Sequence, residues 1–206
     1  MYQEHFKPFL DRSFGFILLV LLCPLLLILS ITILIIHQSS PLYMQPRPGL
    51  HGKIFYLIKF QTMKNLKDAN GILLEDSQRT TRLGNILRKT SLDELPEIAN
   101  IVLGHMSFIG PRPLLVEYLS LYSPHQKRRH DVKPGLTGLA QVNGRNQLSW
   151  EEKFILDVKY IQDISLINDL KILIKTIFII FKFNEVNKSD KITMEKFTGT
   201  RQNHEG

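Results

Sequence analysis

Three carboxylates, Asp93, Glu94 and Glu97, crowd the stretch Ser91-Leu92-Asp93-Glu94-Leu95-Pro96-Glu97, with Arg88 and Lys89 just before it. Adjacent acids beside cations can supply a nucleophile or hold a divalent ion. They can also do neither: Ser91 followed three residues later by Glu94 is a capping box, and acids suit the first turn of a helix. Pro96 argues against a plain helix start, because at the fifth helical position its missing N–H and its ring disrupt the first bonds. The acids are therefore expected on a strained turn. In Gly110-Pro111-Arg112-Pro113 a guanidinium sits on a stiff mount between two prolines, suited to bidentate binding of phosphate, or to a surface ion pair. Asn143-Gly144-Arg145-Asn146 presents Arg145 among turn amides that could bind an anion. Arg128-Arg129-His130 reads as a solvated basic face.

The seven histidines and single cysteine show no zinc spacing, and neither a Walker A loop nor a G-x-G-x-x-G occurs. Without those loops, an enzyme handling nucleotide diphosphates would need arginines and a carboxylate-bound divalent ion. The acids and arginines above are the available supply.

The elements that must position them begin with an anchor. Every residue from Phe14 to Ile36 is uncharged, and as a helix this run would be roughly 35 Å long, enough to cross a hydrocarbon core. Pro24 interrupts it, removing one backbone bond and kinking the helix. Lys7 and Arg12 precede the run while Arg47, Lys53, Lys59, Lys64 and Lys67 follow it, so both flanks are drawn to the cytoplasm. A helix that enters, bends at Pro24 and returns satisfies both signals; a straight span with a tolerated proline is the alternative. Cys23 is the only cysteine, which excludes an intrachain disulfide and favours cytoplasmic exposure.

The chain has 206 residues and a formal net charge of +7. That length suits one ordinary domain plus an anchor, and the scattered lysines and arginines fit an anionic partner. Residues 41–52 read as a connector, 53–60 as a short strand, and 64–80 as a polar surface loop. Helical patterns follow at Thr81 to Leu87, Leu92 to Leu103, Leu114 to Tyr122 and Trp150 to Gln162. From Leu166 to Phe183 a greasy helix carries Lys171, Lys175 and Lys182, within about 40° of one another, so it either lies among lipid headgroups or forms a core helix with one wet edge. Beyond Asn184 the chain is polar and expected to fray.

Four stretches taken together carry a resemblance: Ser91 to Pro96, Gly104-His105-Met106-Ser107-Phe108-Ile109-Gly110-Pro111-Arg112-Pro113, Arg129 to Gly138, and Ala140-Gln141-Val142-Asn143-Gly144-Arg145-Asn146. In this order they resemble the bacterial monotopic phosphoglycosyl transferases, in layout the small members with one re-entrant helix. The resemblance implies an α+β, mainly helical fold: a re-entrant membrane helix over residues 1–40, a catalytic domain with an interfacial helix at its end over 41–183, and a flexible tail over 184–206. It implies transfer of a phospho-sugar, expected to be an N-acetylated hexose, from a uridine diphosphate (UDP) sugar to polyprenyl phosphate, at the cytoplasmic face of the bacterial plasma membrane. Asp93 matches the nucleophile, Glu94 the neighbouring acid tied to Mg²⁺, and Arg88, Arg112 and Arg145 positions near the phosphates. Partners are then the sugar nucleotide, the lipid phosphate and the bilayer, with no nucleic acid.

Three departures stand out. Cys23 replaces the serine usual before the anchor proline, and a thiol is a weaker donor for the backbone group that Pro24 frees. Gln61 stands where a basic residue is common, and His105 where an acid is usual. Two competing readings are a related membrane-bound phosphotransferase or hydrolase acting on another substrate, and a basic membrane-tethered binding protein without catalysis. Oligomeric state and the sugar leave no mark in the sequence.

Overall fold

The computed structural model describes residues 1–181 and 195–199. The fold is α+β and mainly helical. Helix α1 (Lys7–His37) follows a turn of π-helix and carries Pro24 inside it. Strands β1 (Leu42–Pro48) and β2 (Ile54–Phe60) pair in a two-stranded sheet. Then come α2 (Asp76–Arg79), α3 (Arg82–Lys89) and α4 (Glu97–Val102). Strand β3 (Ser107–Ile109), helix α5 (Pro124–Lys127) and strand β4 (Gly135–Thr137) lead to α6 (Leu139–Val142), α7 (Trp150–Gln162) and α8 (Leu166–Phe181). β3 and β4 are parallel, Ser107 opposite Gly135 and Ile109 opposite Thr137.

Local chemistry explains most boundaries. Thr81 caps α3, its hydroxyl accepting from Gly84 N at 2.9 Å, and Ser149 with Glu152 forms a full capping box on α7. Several expectations are corrected. The connector of residues 41–52 contains β1, and of the helix expected over Leu114 to Tyr122 only a 3-10 segment, Val116–Ser120, forms. The helix expected from Leu92 to Leu103 is divided into a 3-10 turn, Leu92–Glu94, and α4, which Pro96 caps. A proline at the cap loses nothing, since that N–H has no helical partner. Helix α1 continues through Cys23 and Pro24, both of which are exposed.

The chain forms two compact units. One comprises Met1–Asp11, Pro46–Phe55 and Gly104–Gly206, and the other Arg12–Gln45 and Tyr56–Leu103. In the second unit Ile33, Phe60 and Leu87 are buried together, with Leu26, Leu29, Leu83 and Leu92 against them. Each such side chain contributes about 1.5–3 kcal/mol on burial, which seats the latter part of α1 on β2 and α3. In the first unit Ile109 packs with Tyr160 and Ile172, and Tyr118, Tyr122, Phe154 and Phe197 form an aromatic group. Phe197 falls within the tail expected to fray. Its backbone N–H donates to Tyr118 Oη at 3.2 Å, and Trp150 Nε1 donates to Glu195 O at 3.1 Å. The rest of that tail, and Lys182 of the basic stripe, lie outside the described residues.

Candidate active site

In the second unit the acidic turn is assembled from β2 and α4. Asn100, almost wholly buried on α4, accepts from Ile58 N at 3.0 Å and donates to Tyr56 O at 2.8 Å. One amide thus staples helix to strand using backbone groups of both polarities. The staple sets Lys59 of β2 between two acids, with Nζ 2.9 Å from Glu94 Oε1 and 3.0 Å from Glu97 Oε1. Glu97 is only 2% exposed, so a charge there requires such a partner. Lys59 was overlooked in the sequence, although a signal existed. Counting by twos from the buried Phe55 and Leu57 reaches position 59, where a charge on the inward face of a strand needs a partner.

The capping box expected at Ser91 does not form. Ser91 sits at φ 55°, ψ 18° and makes no side-chain cap bond. A left-handed non-glycine residue costs about 1 kcal/mol or more, so the turn that carries half-buried Asp93 and Glu94 is strained, as Pro96 implied. Arg88 stands at the end of α3, and its Nε donates to Thr62 Oγ1 at 2.8 Å. α3 comes this close because position 84 is glycine: a Cβ there would lie 1.8 Å from Thr62 O. Gln61, the departure from a basic residue, is buried and donates Nε2 to Met63 O at 2.9 Å, which is a structural role.

In the first unit the Arg112 mount is held from behind. Arg129 donates Nη2 to Arg112 O at 2.8 Å, Nε and Nη2 to Asp157 Oδ2 at 3.0 and 2.8 Å, and Nη1 to Tyr122 Oη at 3.1 Å. Arg129 is 3% exposed and packs against the Tyr122 and Phe154 rings, so of the solvated basic face expected there only Arg128 is exposed, while Arg129 and His130 are buried. Burial pushes the Asp157 carboxyl up while Arg129 pulls it down. Burial, then the Arg129 charge, hold the adjacent His130 down to about 4, neutral at pH 7, with Nδ1 3.3 Å from Gly49 O. The Arg112 side chain itself is exposed. Lys153 of α7 is held below the ordinary lysine range by burial and then by Arg112, so these two cations repel, and an anion between them would relieve both. Arg145 sits at φ 52° after Gly144 at φ 151°, which turns it out of α6 into a 3-10 segment. His105, the other departure, is exposed with its ring 5.8 Å from that of Phe55.

The structure therefore brings Asp93, Glu94 and Arg88 into one unit and places Arg112 and Arg145 in the other. Among the described residues no cluster of three or more His, Cys, Asp or Glu could cage a metal. Mg²⁺ does not require one: it keeps several waters and binds through one or two carboxylates plus substrate phosphates. Asp93 and Glu94, adjacent on one turn, are two carboxylates of the kind such an ion uses.

Residues 2–183 match the family model described as bacterial sugar transferase. The chain is 47% identical over 183 residues to the uncharacterized sugar transferase EpsL of Bacillus subtilis strain 168, covering 87% of this chain and 91% of that protein. It is 36% identical to the UDP-galactose-lipid carrier transferase of Erwinia amylovora, over 87% of this chain and 42% of that protein. With the UDP-glucose:undecaprenyl-phosphate glucose-1-phosphate transferase of Xanthomonas campestris pv. campestris identity is 39%, over 67% of this chain and 30% of that protein. The chain thus spans nearly all of the first relative and less than half of the other two.

Proposed function

Because the chain belongs to the bacterial sugar transferase family, we propose that it transfers a hexose 1-phosphate from a UDP-sugar to polyprenyl (undecaprenyl) phosphate and releases uridine monophosphate (UMP). The observation that carries this reading is the strained turn at Ser91, which presents adjacent Asp93 and Glu94 with Lys59 clamping Glu94. An Asp93 carboxylate oxygen attacks the β-phosphorus of the donor, the bond to the UMP oxygen breaks, and UMP leaves with that electron pair. A phosphate oxygen of the lipid acceptor then attacks the same phosphorus and releases the Asp93 carboxylate. Two in-line displacements split one hard transfer into two easier ones. Arg88, in the same unit as Asp93, is assigned to the donor phosphates, where fixed guanidinium charge is most effective; for Arg112 and Arg145 that role is what the resemblance implies. Glu94 would hold Mg²⁺, which when bound would add neutralising charge at the diphosphate.

The cytoplasmic sidedness is part of the same proposal. The apolar run of α1 is only 6% buried, and no other helix among the described residues is long and apolar enough to cross a membrane. Tyr2 and Lys7 near one end of α1 bond to Asp169, and His37 at the other bonds Thr81 Oγ1 at 3.0 Å. The first of these ties lies in the first unit and the second in the other; the lysines and arginines flanking both ends of the run support a cytoplasmic position for each, and with it the re-entrant course.

Relatives' names specify glucose and galactose, which supports a hexose; the N-acetylated hexose implied by the resemblance is the finer alternative. UMP release from a panel of UDP-hexoses and UDP-N-acetylhexosamines, with and without undecaprenyl phosphate, tests the proposal. Lipid-dependent UMP release with one donor supports it. Equal release without lipid would indicate a hydrolase, and no release with any donor would indicate a binding protein.

A further inference from the structure

Helix α8 carries a feature that the transfer reaction leaves unused. Between it and α6 lies a groove of about 300 Å³, lined by Leu139, Asn168, Lys171, Ile172, Ile174 and Lys175. Lys171 and Lys175 are one helical turn apart and both exposed, so their ammonium groups edge the same groove. Neither has an ion-pair partner among the described residues. Asn168 adds an amide at the rim, its Nδ2 3.3 Å from Asp163 O.

The helix is fixed from behind. Ile172 is 1% exposed in the cluster with Ile109 and Tyr160, and Thr176 Oγ1 lies 2.9 Å from Thr137 Oγ1 of β4. Its outer surface is the reverse: Leu166, Ile167, Leu170, Ile174, Ile177 and Phe178 are 46–67% exposed. An apolar surface of that extent on a fixed helix calls for an apolar neighbour. The two lysines call for an anion, and the two demands meet at Ile174 and the adjoining lysines. An amphiphile with a phosphate head and hydrocarbon tails satisfies both, whereas a free phosphate leaves the isoleucines in water and a neutral lipid leaves the lysines unmatched.

We propose that the α6–α8 groove binds the phosphate headgroup of an anionic glycerophospholipid, the acyl chains running along the exposed apolar surface of α8. The contact gives α8, the helix expected at the interface, a preference for negatively charged headgroups. Two lysines at a headgroup add attraction that is lost with salt. The inference rests on the groove and not on transfer, so it stands or falls separately from the assignment of Asp93.

The test uses the full-length protein in a neutral detergent, titrated with short-chain phosphatidylglycerol while thermal unfolding is followed. A saturable rise in Tm is expected. It should be absent with phosphatidylcholine of the same chain length and with inorganic phosphate, and K171Q/K175Q should raise the half-saturating concentration about tenfold or more. Charge reversal, K171E/K175E, should abolish the shift, and both variants should keep the wild-type Tm without lipid because the two side chains are exposed. An equal shift with phosphatidylcholine would reduce the surface to unselective apolar contact. An equal shift with inorganic phosphate, or an undiminished response in K171Q/K175Q, would also overturn the proposal. So would variants in which only the KM for polyprenyl phosphate rises while the phosphatidylglycerol response stays intact, because the groove would then belong to the acceptor.

Discussion

Lys7 and Asp169, separated by 162 positions in sequence, form a nearly buried ion pair with Nζ 2.6 Å from Oδ2. The carboxylate also accepts from Tyr2 Oη at 2.7 Å and lies 2.8 Å from Tyr160 Oη. A buried pair stabilises only when its remaining valences are filled, and here phenols fill them. The pair thereby fastens the start of the apolar helix α1 to α8.

Lys7→Met should therefore destabilise the first unit by about 3–5 kcal/mol, because it leaves Asp169 charged and buried. The double variant K7M/D169L should recover a good part of that loss. Chemical denaturation of the four-member cycle measures the coupling; equal stability of the single and double variants would show that the pair does not hold the helix.

Lys59 is expected to act through Glu94. Lys59→Met should lower kcat about 10–100-fold, as loss of a group that orients a metal-bound acid does, with a smaller change in donor KM. Lys59→Arg should restore part of the rate, and the Mg²⁺ concentration dependence should shift in the Met variant. A Met variant with reduced stability but unchanged kcat and Mg²⁺ response would make Lys59 purely structural.

The Arg129–Asp157 pair gives the opposite pattern. Asp157→Asn should cost several kcal/mol, since Arg129 is then left as an uncompensated buried charge. Donor KM should also rise, because Arg129 holds the Arg112 carbonyl. Denaturant midpoints and steady-state kinetics on the same variant separate the two effects, and an unchanged KM in the folded fraction would disconnect the scaffold from Arg112.

His130 sets a pH window. Its folded value, about 4, lies below the ordinary histidine value of about 6.5. Between the two the unfolded chain binds the extra proton, so stability is full above about 6.5 and falls as pH drops toward about 4. His130→Gln should flatten the stability profile over this window relative to wild type. Parallel profiles for the two proteins would contradict the assignment.

The sequence made some of this legible. α7 runs from Trp150 to Gln162 as its periodicity predicts, because periodicity and a cap are local properties. The turn at Asp93 was readable through Pro96, and the family motifs through their order. Arg129 was misread because its partner Asp157 lies 28 positions away on α7, so burial of a basic run depends on tertiary packing. Phe197 was misread for the same reason: a polar segment hides one aromatic whose partners, Tyr118 and Phe154, lie on other elements. The unformed cap at Ser91 shows that a local pattern yields where the backbone is needed in another conformation.

The central claim is that Asp93 carries the phospho-sugar. Full-length protein incubated with the preferred UDP-sugar and no lipid acceptor, then examined by intact-mass spectrometry, should gain the mass of one hexose phosphate, lose it when polyprenyl phosphate is added, and show no adduct as Asp93→Asn. An Asp93→Asn protein that is folded and turns over near the wild-type rate would contradict the covalent account, as would full turnover with an adduct that polyprenyl phosphate does not discharge.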